Sequence, residues 1–259
     1  MDFLITFLNG LSLGGIYAMI ALGYTMVYGI AKMLNFAHGD IIMVGGYTIL
    51  VFLWINPIVA IIASVIFCML MGIVIEKVAY KPLRGASPLA VLITAIGVSY
   101  LLQSIAQMAF GSAPKFVVIA DLGTLKIGEI AIGYSTIITL ACSAVIMVGL
   151  NLFVKFSKTG RAMIAVSEDK GAAQLMGINV NNIIMITFAI GSALAALASL
   201  FFLLKAPTMT PTFGALPGIK AFTAAVIGGI GSIPGAFLGG LLLGIIEALA
   251  KAYISTNLA

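Results

Sequence analysis

Long apolar runs separated by short polar breaks make up most of this chain. The runs cover residues 4–29, 58–75, 88–110, 134–154 and 183–204. Each is close to the ~20 residues that a helix needs to cross the hydrocarbon core of a membrane. Apolar positions are continuous and do not alternate with period two, so they predict helices and not barrel strands. The pattern predicts an all-α, polytopic helical bundle in a membrane.

The run at residues 41–54 is too short to span by itself. It has about 14 residues, fewer than the ~20 required, and it follows the polar break 31–40. If residues 36–40 form its first turn, Asn35 is the expected N-cap. A short segment with a polar start resembles the broken helices that line transport pathways.

Residues 218–250 form the second irregular stretch. At about 33 positions they are too long for one upright span and barely enough for two. The segment GGIGSIPG at 228–235 cannot be the interior of an uninterrupted helix, because glycine and proline both disfavour it. We expect a half-helix, a break near Pro234 and a second helix with glycines such as Gly240 and Gly244 at GxxxG spacing. The stretch is then either two spans or a re-entrant segment and a span, which gives seven or eight hydrophobic segments in all.

The composition supports the same class. Of the 259 residues, 62% are hydrophobic and 8% are charged, and the mean hydropathy is +1.23. A soluble domain carries about 25% charged residues, so this chain cannot cover a soluble surface. We expect a single transmembrane domain over residues 1–259. The N-terminus lacks the basic start and the cleavage site of a signal peptide, so the first apolar run is expected to remain as a span.

Basic residues distinguish the two sides of the membrane. The loops 76–84 and 155–182 are rich in lysine and arginine, whereas the loop 111–133 holds fewer of them. The positive-inside rule makes the first two loops cytoplasmic and the third external, where a small hairpin is expected. Counting back through three spans places Met1 outside. The net charge of +5 is therefore a signal of topology and not of nucleic-acid binding.

The loop 155–182 is the one long segment that must lie in water. It carries basic and acidic side chains around a run of small residues within GAAQLMG, residues 171–177. A charged loop is often only a solvated connector. The alternative that we favour is a surface where a membrane-embedded protein meets a soluble partner.

No arrangement of residues indicates catalysis. The glycine cluster 228–235 lacks the Gly-Lys-Ser/Thr ending of a P-loop, and Pro234 occupies the third glycine position of a dinucleotide fingerprint. His38 is the only histidine, which excludes a multi-histidine metal centre. Cys68 and Cys142 lie in apolar runs without metal-ligand spacing, as small buried hydrophobes do. We expect no enzyme activity, no metal and no cofactor.

Four polar residues inside apolar runs need partners. Gln103 and Gln107 stand four positions apart, so both amides share a helix face that is expected to look into the bundle. Glu247 and Lys251 have the same spacing and are expected to pair near a membrane boundary. Such a pair is more often structural than mechanistic.

Three motifs resemble those of one family. They are LNFAHGD at 34–40, LPGIKAF at 216–222 and GGIGSIPGA at 228–236. Together they are similar to the signatures of branched-chain amino acid ABC transporter permeases, in particular the high-affinity H-type subunit, along the whole chain. The segment 171–177 resembles the cytoplasmic EAA loop of ABC importers, which docks on the ATPase, with Gly171 where that motif has its glutamate.

The resemblance implies an importer of leucine, isoleucine and valine in the plasma (inner) membrane of a bacterium or archaeon. Its partners would be a second permease, usually as a heterodimer, two cytoplasmic ATP-binding subunits that hydrolyse ATP, and an extracytoplasmic substrate-binding protein. Residues 162–180 would form short coupling helices. The residues expected at the ATPase contact are Arg161, Glu168, Asp169, Gly171, Ala172, Ala173 and Gly177. Those expected on the translocation pathway are Asn35, Phe36, His38, Gly228, Gly229, Gly231 and Pro234.

Other functions stay open. Permeases for urea and short amides are close relatives, so the motifs specify the family better than the solute. An ion-coupled secondary carrier would need an intramembrane relay, for which Asn35, His38 and Asp40 are the candidates, although His38 can also be an interfacial polar residue. A membrane scaffold is a third possibility. Because members of this family usually continue with another apolar segment and a basic tail, a final span is expected to be missing after Ala259.

Overall fold

The computed structural model describes residues 2–120, 123–127 and 130–254. The expectations for Met1 and for the end of the chain, residues 255–259, fall outside this part. The helices are α1 (Asp2–Ala31), α2 (His38–Phe52), α3 (Pro57–Ile75), α4 (Pro88–Phe110), α5 (Tyr134–Phe156), α6 (Lys158–Glu168), α7 (Lys170–Leu175), α8 (Val180–Lys205), α9 (Ala215–Ile227) and α10 (Ile233–Tyr253). The strands are β1 (Lys115–Phe116), β2 (Thr124–Ile127), β3 (Ile130–Gly133) and β4 (Thr208–Met209).

Within the described residues, six helices are long and apolar enough to cross a membrane: α1, α3, α4, α5, α8 and α10. Helices α2 and α9 are apolar but have only 15 and 13 residues. At a rise of about 1.5 Å per residue, both are shorter than a hydrocarbon core of about 30 Å. The predicted polytopic bundle with seven or eight hydrophobic segments, some of them broken, is confirmed.

Side-chain caps fix several helix starts. The Asn56 side chain accepts a hydrogen bond from the Ile58 amide at the start of α3, and Ser87 accepts one from the Ala90 amide at the start of α4. In both cases proline follows the cap, where its missing N–H costs nothing.

The predicted N-cap of α2 is wrong. Helix α2 begins at His38, its N-cap position is Ala37, and no side chain caps it. The Asn35 carbonyl instead accepts the His38 amide in a turn at 3.1 Å, while its side-chain oxygen accepts the Tyr80 hydroxyl at 2.9 Å. Asn35 therefore holds the chain against the turn that follows α3, a long-range contact that local spacing could not indicate.

Helices α1 and α10 pack backbone to backbone. A methyl group at Gly240 would lie 2.4 Å from Ala18 Cα, and one at Gly244 would lie 2.1 Å from the Gly14 nitrogen. Small residues four apart permit such close approach in lipid, where packing drives helix association. The predicted GxxxG contact is therefore confirmed for Gly240 and Gly244.

The connections are short and partly regular. A π-helical turn (Glu76–Tyr80) and a 3-10 turn (Lys81–Leu83) join α3 to α4. The predicted hairpin in the 111–133 loop is confirmed, because β2 and β3 pair antiparallel with Thr124 opposite Gly133. Strand β1 pairs antiparallel with β4, so the connection after α4 meets the connection after α8 at one end of the bundle.

Candidate functional site

The two loops predicted to be cytoplasmic meet at one end of the bundle. Lys170 Nζ donates a hydrogen bond to the Ala31 carbonyl at 3.0 Å. The guanidinium of Arg84 donates a hydrogen bond to the side chain of Asn181, at the start of α8, and forms an ion pair with Glu76. Loop 155–182 is thus fastened to the end of α1, and loop 76–84 to the start of α8. The prediction that they share one side is consistent with these contacts.

The charges around this junction are mostly positive. Lys32, Arg84 and Lys170 line one cavity of about 350 Å³. Burial lowers the pKa of the Lys170 ammonium, and the nearby charges of Arg84 and Lys32 lower this pKa further. An ammonium held here against like charges is stabilised by the carbonyl of Ala31 at the C-terminal end of α1, where a helix attracts cations.

The loop 155–182 contains two short helices, α6 and α7, where the resemblance implied short helices over residues 162–180. Helix α6 turns Met163 and Val166 into the protein. Helix α7 is fixed at its start by Asp169, whose carboxylate accepts the amides of Gly171 at 2.7 Å and Ala172 at 3.0 Å. Gly177 ends α7 with φ +81°, a left-handed conformation that favours glycine. Asp169 and Gly177 therefore shape the loop, whatever else they contact.

One predicted docking residue points the other way. Ala173 is only 3% exposed, because it lies on the face of α7 that packs onto the rest of the chain. The expectation that Ala173 offers a surface to a partner is therefore wrong. Arg161, Glu168, Gly171 and Ala172 are exposed, as that role requires.

Two apolar side chains that the analysis of the sequence did not single out are displayed instead. Leu175 is 91% exposed and Met176 is 82% exposed, next to the turn at Gly177. We name this pair the α7 tip. Large apolar side chains held out from a polar loop are typical of a protein interface. In the sequence, the only indication of this surface is a Leu-Met pair within a polar loop. The direction in which the pair points depends on how Ala173 packs.

Helices α2 and α9 meet at their N-termini inside the bundle. A methyl group at Gly39 would lie 2.6 Å from the Gly214 carbonyl oxygen and 3.3 Å from Gly218 Cα. His38 lies beside this contact and packs edge-on against the ring of Tyr24 in α1, with the two ring centroids 4.7 Å apart. We name this contact, formed by residues 38–39 and 214–218, the half-helix centre.

The two short helices run in opposite directions from that centre. Helix α2 runs toward the end of the bundle that carries the strands, where Met209 of β4 packs against Gly46. Helix α9 runs to a turn in which Gly231 lies beside Gly29, near the end of α1. Residues 218–250 therefore contain most of the half-helix α9, a break at 228–232 and most of the long helix α10. Of the two predicted arrangements, this is the re-entrant segment followed by a span. Two opposed half-helices are a recurring device of transport proteins.

The predicted pathway residues fall into two groups. Asn35, Phe36 and His38 lie near the half-helix centre, where the Phe36 ring packs on Phe222 at 5.1 Å. Gly228, Gly229 and Gly231 lie in the turn between α9 and α10, and Pro234 lies in the first turn of α10. Gly231 and Glu168 line one cavity of about 220 Å³, so this turn adjoins α6. The structure therefore brings the second group next to α6, and Ile230 of the same turn lines a small cavity together with Asn35 of the first group.

The polar residues of α4 behave differently from each other. The Gln103 amide donates to the Asp40 carboxylate at 2.8 Å, which confirms that it faces the bundle. Gln107 is exposed and bonds Ser112 at 2.9 Å, so the same prediction is wrong for it. Position 107 lies near the end of α4, where the polar loop supplies a partner. The buried Asp40 is thus hydrogen-bonded to an amide.

The predicted ion pair of α10 is confirmed and is larger than expected. Lys251 Nζ lies 2.7 Å from Glu247 Oε1, and Lys220 Nζ from α9 lies 3.0 Å from the same oxygen. The Tyr17 hydroxyl of α1 donates to Glu247 Oε2 at 2.8 Å. Lys220 belongs to the LPGIKAF motif; a lysine inside an apolar run was the signal for it, but its partner is 27 positions away.

Comparison with known proteins bears on the whole chain. Residues 6–259 match the family described as "Branched-chain amino acid transport system / permease component". The chain is 46% identical over 256 residues to the high-affinity branched-chain amino acid transport system permease protein BraD of Pseudomonas aeruginosa, covering 93% of this chain and 83% of that protein. It is 40% identical over 276 residues to LivH, the protein of the same description in Escherichia coli K12, covering 98% and 88%. A probable branched-chain amino acid transport permease protein LivH of Methanocaldococcus jannaschii is 30% identical over 253 residues, covering 92% and 78%.

Proposed function

This chain belongs to the branched-chain amino acid transport permease family, and on that premise we propose that it forms the membrane pathway of an ATP-driven importer of leucine, isoleucine and valine. It is a multi-pass membrane protein and a transport subunit, not an enzyme. ATP hydrolysis belongs to a separate ATPase subunit. The membrane is the inner membrane of a bacterium or the plasma membrane of an archaeon.

The observation that carries the proposal is the α7 tip. Leu175 and Met176 stand out from a small helix that is capped at one end by Asp169 and closed at the other by Gly177. Their exposure to water costs free energy, at roughly 25 cal/mol per Å² of apolar surface, which a docking ATPase recovers. Arg161, Glu168, Gly171 and Ala172 provide polar surface around the tip.

Two contacts carry a movement of the loop into the membrane. The hydrogen bond from Lys170 to Ala31 ties α7 to the end of α1. The cavity shared by Glu168 and Gly231 places α6 against the turn between α9 and α10. A closing ATPase that pushes the α7 tip would therefore act on α1 and on the half-helix α9 together. This is rigid-body switching between two packed arrangements.

The complete importer needs further subunits. We propose a second permease, as a heterodimer, two copies of the ATPase and an extracytoplasmic binding protein. The strand-bearing end of the bundle, opposite the α7 tip, is the end that receives the binding protein.

The alternative from a different class, an ion-coupled secondary carrier, has less support. A relay through His38 and Asp40 would have to exchange protons with water, and each residue is 1% exposed. The Asp40 carboxylate accepts a hydrogen bond from the neutral amide of Gln103. These two residues fit a sealed centre better than a proton path.

Docking is tested by replacing the tip with charges. Leu175→Asp with Met176→Asp removes the apolar contact and should weaken ATPase binding at least about a hundredfold, on the order of 3 kcal/mol. Gln174→Asp, an exposed neighbour, adds charge without removing apolar surface and is the matched control. The measurement is co-purification of the ATPase from detergent. Equal recovery with the double variant and with the control would refute the docking assignment.

A further inference from the structure

A charged cluster lies between α1, α9 and α10 and is not fully covered by the described part of this chain. Glu247 is the centre of it, paired with Lys220 and Lys251 and bonded by Tyr17. Tyr17 lies midway along α1, and Glu247 lies within the apolar helix α10. The side chain of Glu247 is 7% exposed, whereas those of Lys220 and Lys251 are 28% and 45% exposed. Two lysine side chains that are partly exposed thus pair with a buried carboxylate.

Such a face does not border lipid. Charged side chains inside a membrane face protein or a water-filled cavity, because transfer into hydrocarbon is costly. The exposed central parts of α4 and α5 differ from it; Tyr100, Leu101 and Val145 are exposed there and carry no charge. The side of α9 and α10 that carries Lys220 and Lys251 is therefore the one that a polar path or a second permease covers.

Positive charges outnumber negative charges in and around the cluster. Lys205, at the end of α8, lies with Lys251 around a cavity of about 530 Å³ beside the outer end of α1. Its ammonium donates to the Asn9 carbonyl at 2.9 Å. From the strand-bearing end inward, a row of Lys205, Lys251 and Lys220 is opposed by the single carboxylate of Glu247. The excess of positive charge attracts a carboxylate, and the carboxylate of Glu247 can pair with an ammonium group.

We propose that the Lys220–Glu247–Lys251 cluster binds the zwitterionic head group of the amino acid as it crosses the membrane. The substrate carboxylate takes the two ammonium groups, and the substrate ammonium takes Glu247. Each ion pair inside the cluster is exchanged for one with the substrate, so the charges never face an apolar medium unpaired. The inference rests on the proposed function, because it names that importer's substrate class.

Accessibility of the cluster tests the inference in the assembled importer. In Lys220→Cys and in Thr223→Cys, one turn along the exposed side of α9, a membrane-impermeant sulfonated thiol reagent added from outside should react. Val145→Cys, an exposed apolar position midway along α5, is the matched control and should not react. The wild-type chain, with Cys68 and Cys142, gives the background. Leucine with the binding protein and ATP should slow the reaction at position 223.

Uptake in the same vesicles separates the possible failures. Lys220→Met should lower leucine uptake about tenfold, and Lys220→Arg should retain most of it, because a charged hydrogen bond is worth about 1.5–3 kcal/mol, or at least roughly tenfold. No uptake by the wild-type importer would overturn the proposed function. Uptake by the wild type without reaction at positions 220 and 223, or reaction that leucine does not slow, would overturn this inference alone.

Discussion

The loop 155–182 and the half-helix centre are built in opposite ways. In the loop, contacts between near neighbours along the chain fix the conformation: Asp169 caps α7 and Gly177 ends it. In the centre, backbone meets backbone across the whole chain, with Gly39 against Gly214. The loop exposes apolar side chains to water, and the centre leaves no room for one methyl group.

This difference separates two tasks of a coupled transporter. A locally fixed loop keeps its shape while it moves with a partner, so it suits the input of mechanical work. Two half-helices in backbone contact form a tight junction in the bundle, since packed interiors switch between discrete arrangements and do not deform gradually. The comparison predicts severe effects of substitutions in the centre and graded effects in the loop.

The largest expected effect is at the centre. In Gly214→Ala the new methyl group would lie 1.7 Å from the Gly39 carbonyl oxygen, so the two half-helices must separate. We expect the free energy of unfolding to fall by about 3 kcal/mol or more. Thermal unfolding in detergent measures it. Gly97→Ala, in the middle of α4 with no atom within 4 Å, is the control and should not destabilise the protein. Equal stability of both variants would show that the centre is not tightly packed.

A smaller effect is expected where the loop joins α1. Lys170→Met removes the hydrogen bond to Ala31, which is partly open to solvent, at a cost of about 1 kcal/mol. ATP hydrolysis should persist, while the leucine imported per ATP hydrolysed falls roughly fivefold. The exposed Lys158→Met is the control for lost positive charge in the same loop. If both variants import the same amount per ATP, Lys170 is not part of the mechanical link.

Much of the fold could be predicted because its signals are local. The apolar runs predicted the spans, and the short run 41–54 together with the glycines at 228–235 predicted the broken helices. The caps at Asn56 and Ser87 follow from their place before proline.

The remaining features depend on contacts between distant positions. Asn35 is a residue type that often caps helices, but its side chain instead accepts a hydrogen bond from Tyr80, which lies in another element. Ala173 is a small residue in a polar loop, and only the packing of α7 decides that it is buried. The meeting of Lys220 with Glu247, like that of Gly39 with Gly214, joins helices whose approach no local spacing indicates.

The central claim is that ATP hydrolysis, delivered through the α7 tip, drives import of branched-chain amino acids. The most direct measurement is leucine uptake into proteoliposomes that contain this chain, the second permease and the ATPase, with the binding protein outside and ATP inside. We predict uptake that requires both ATP and the binding protein. Isoleucine and valine should inhibit this uptake, urea should not, and Leu175→Asp with Met176→Asp should abolish it. Uptake driven by a proton gradient without ATP, or inhibited by urea and short amides in place of isoleucine and valine, would contradict it.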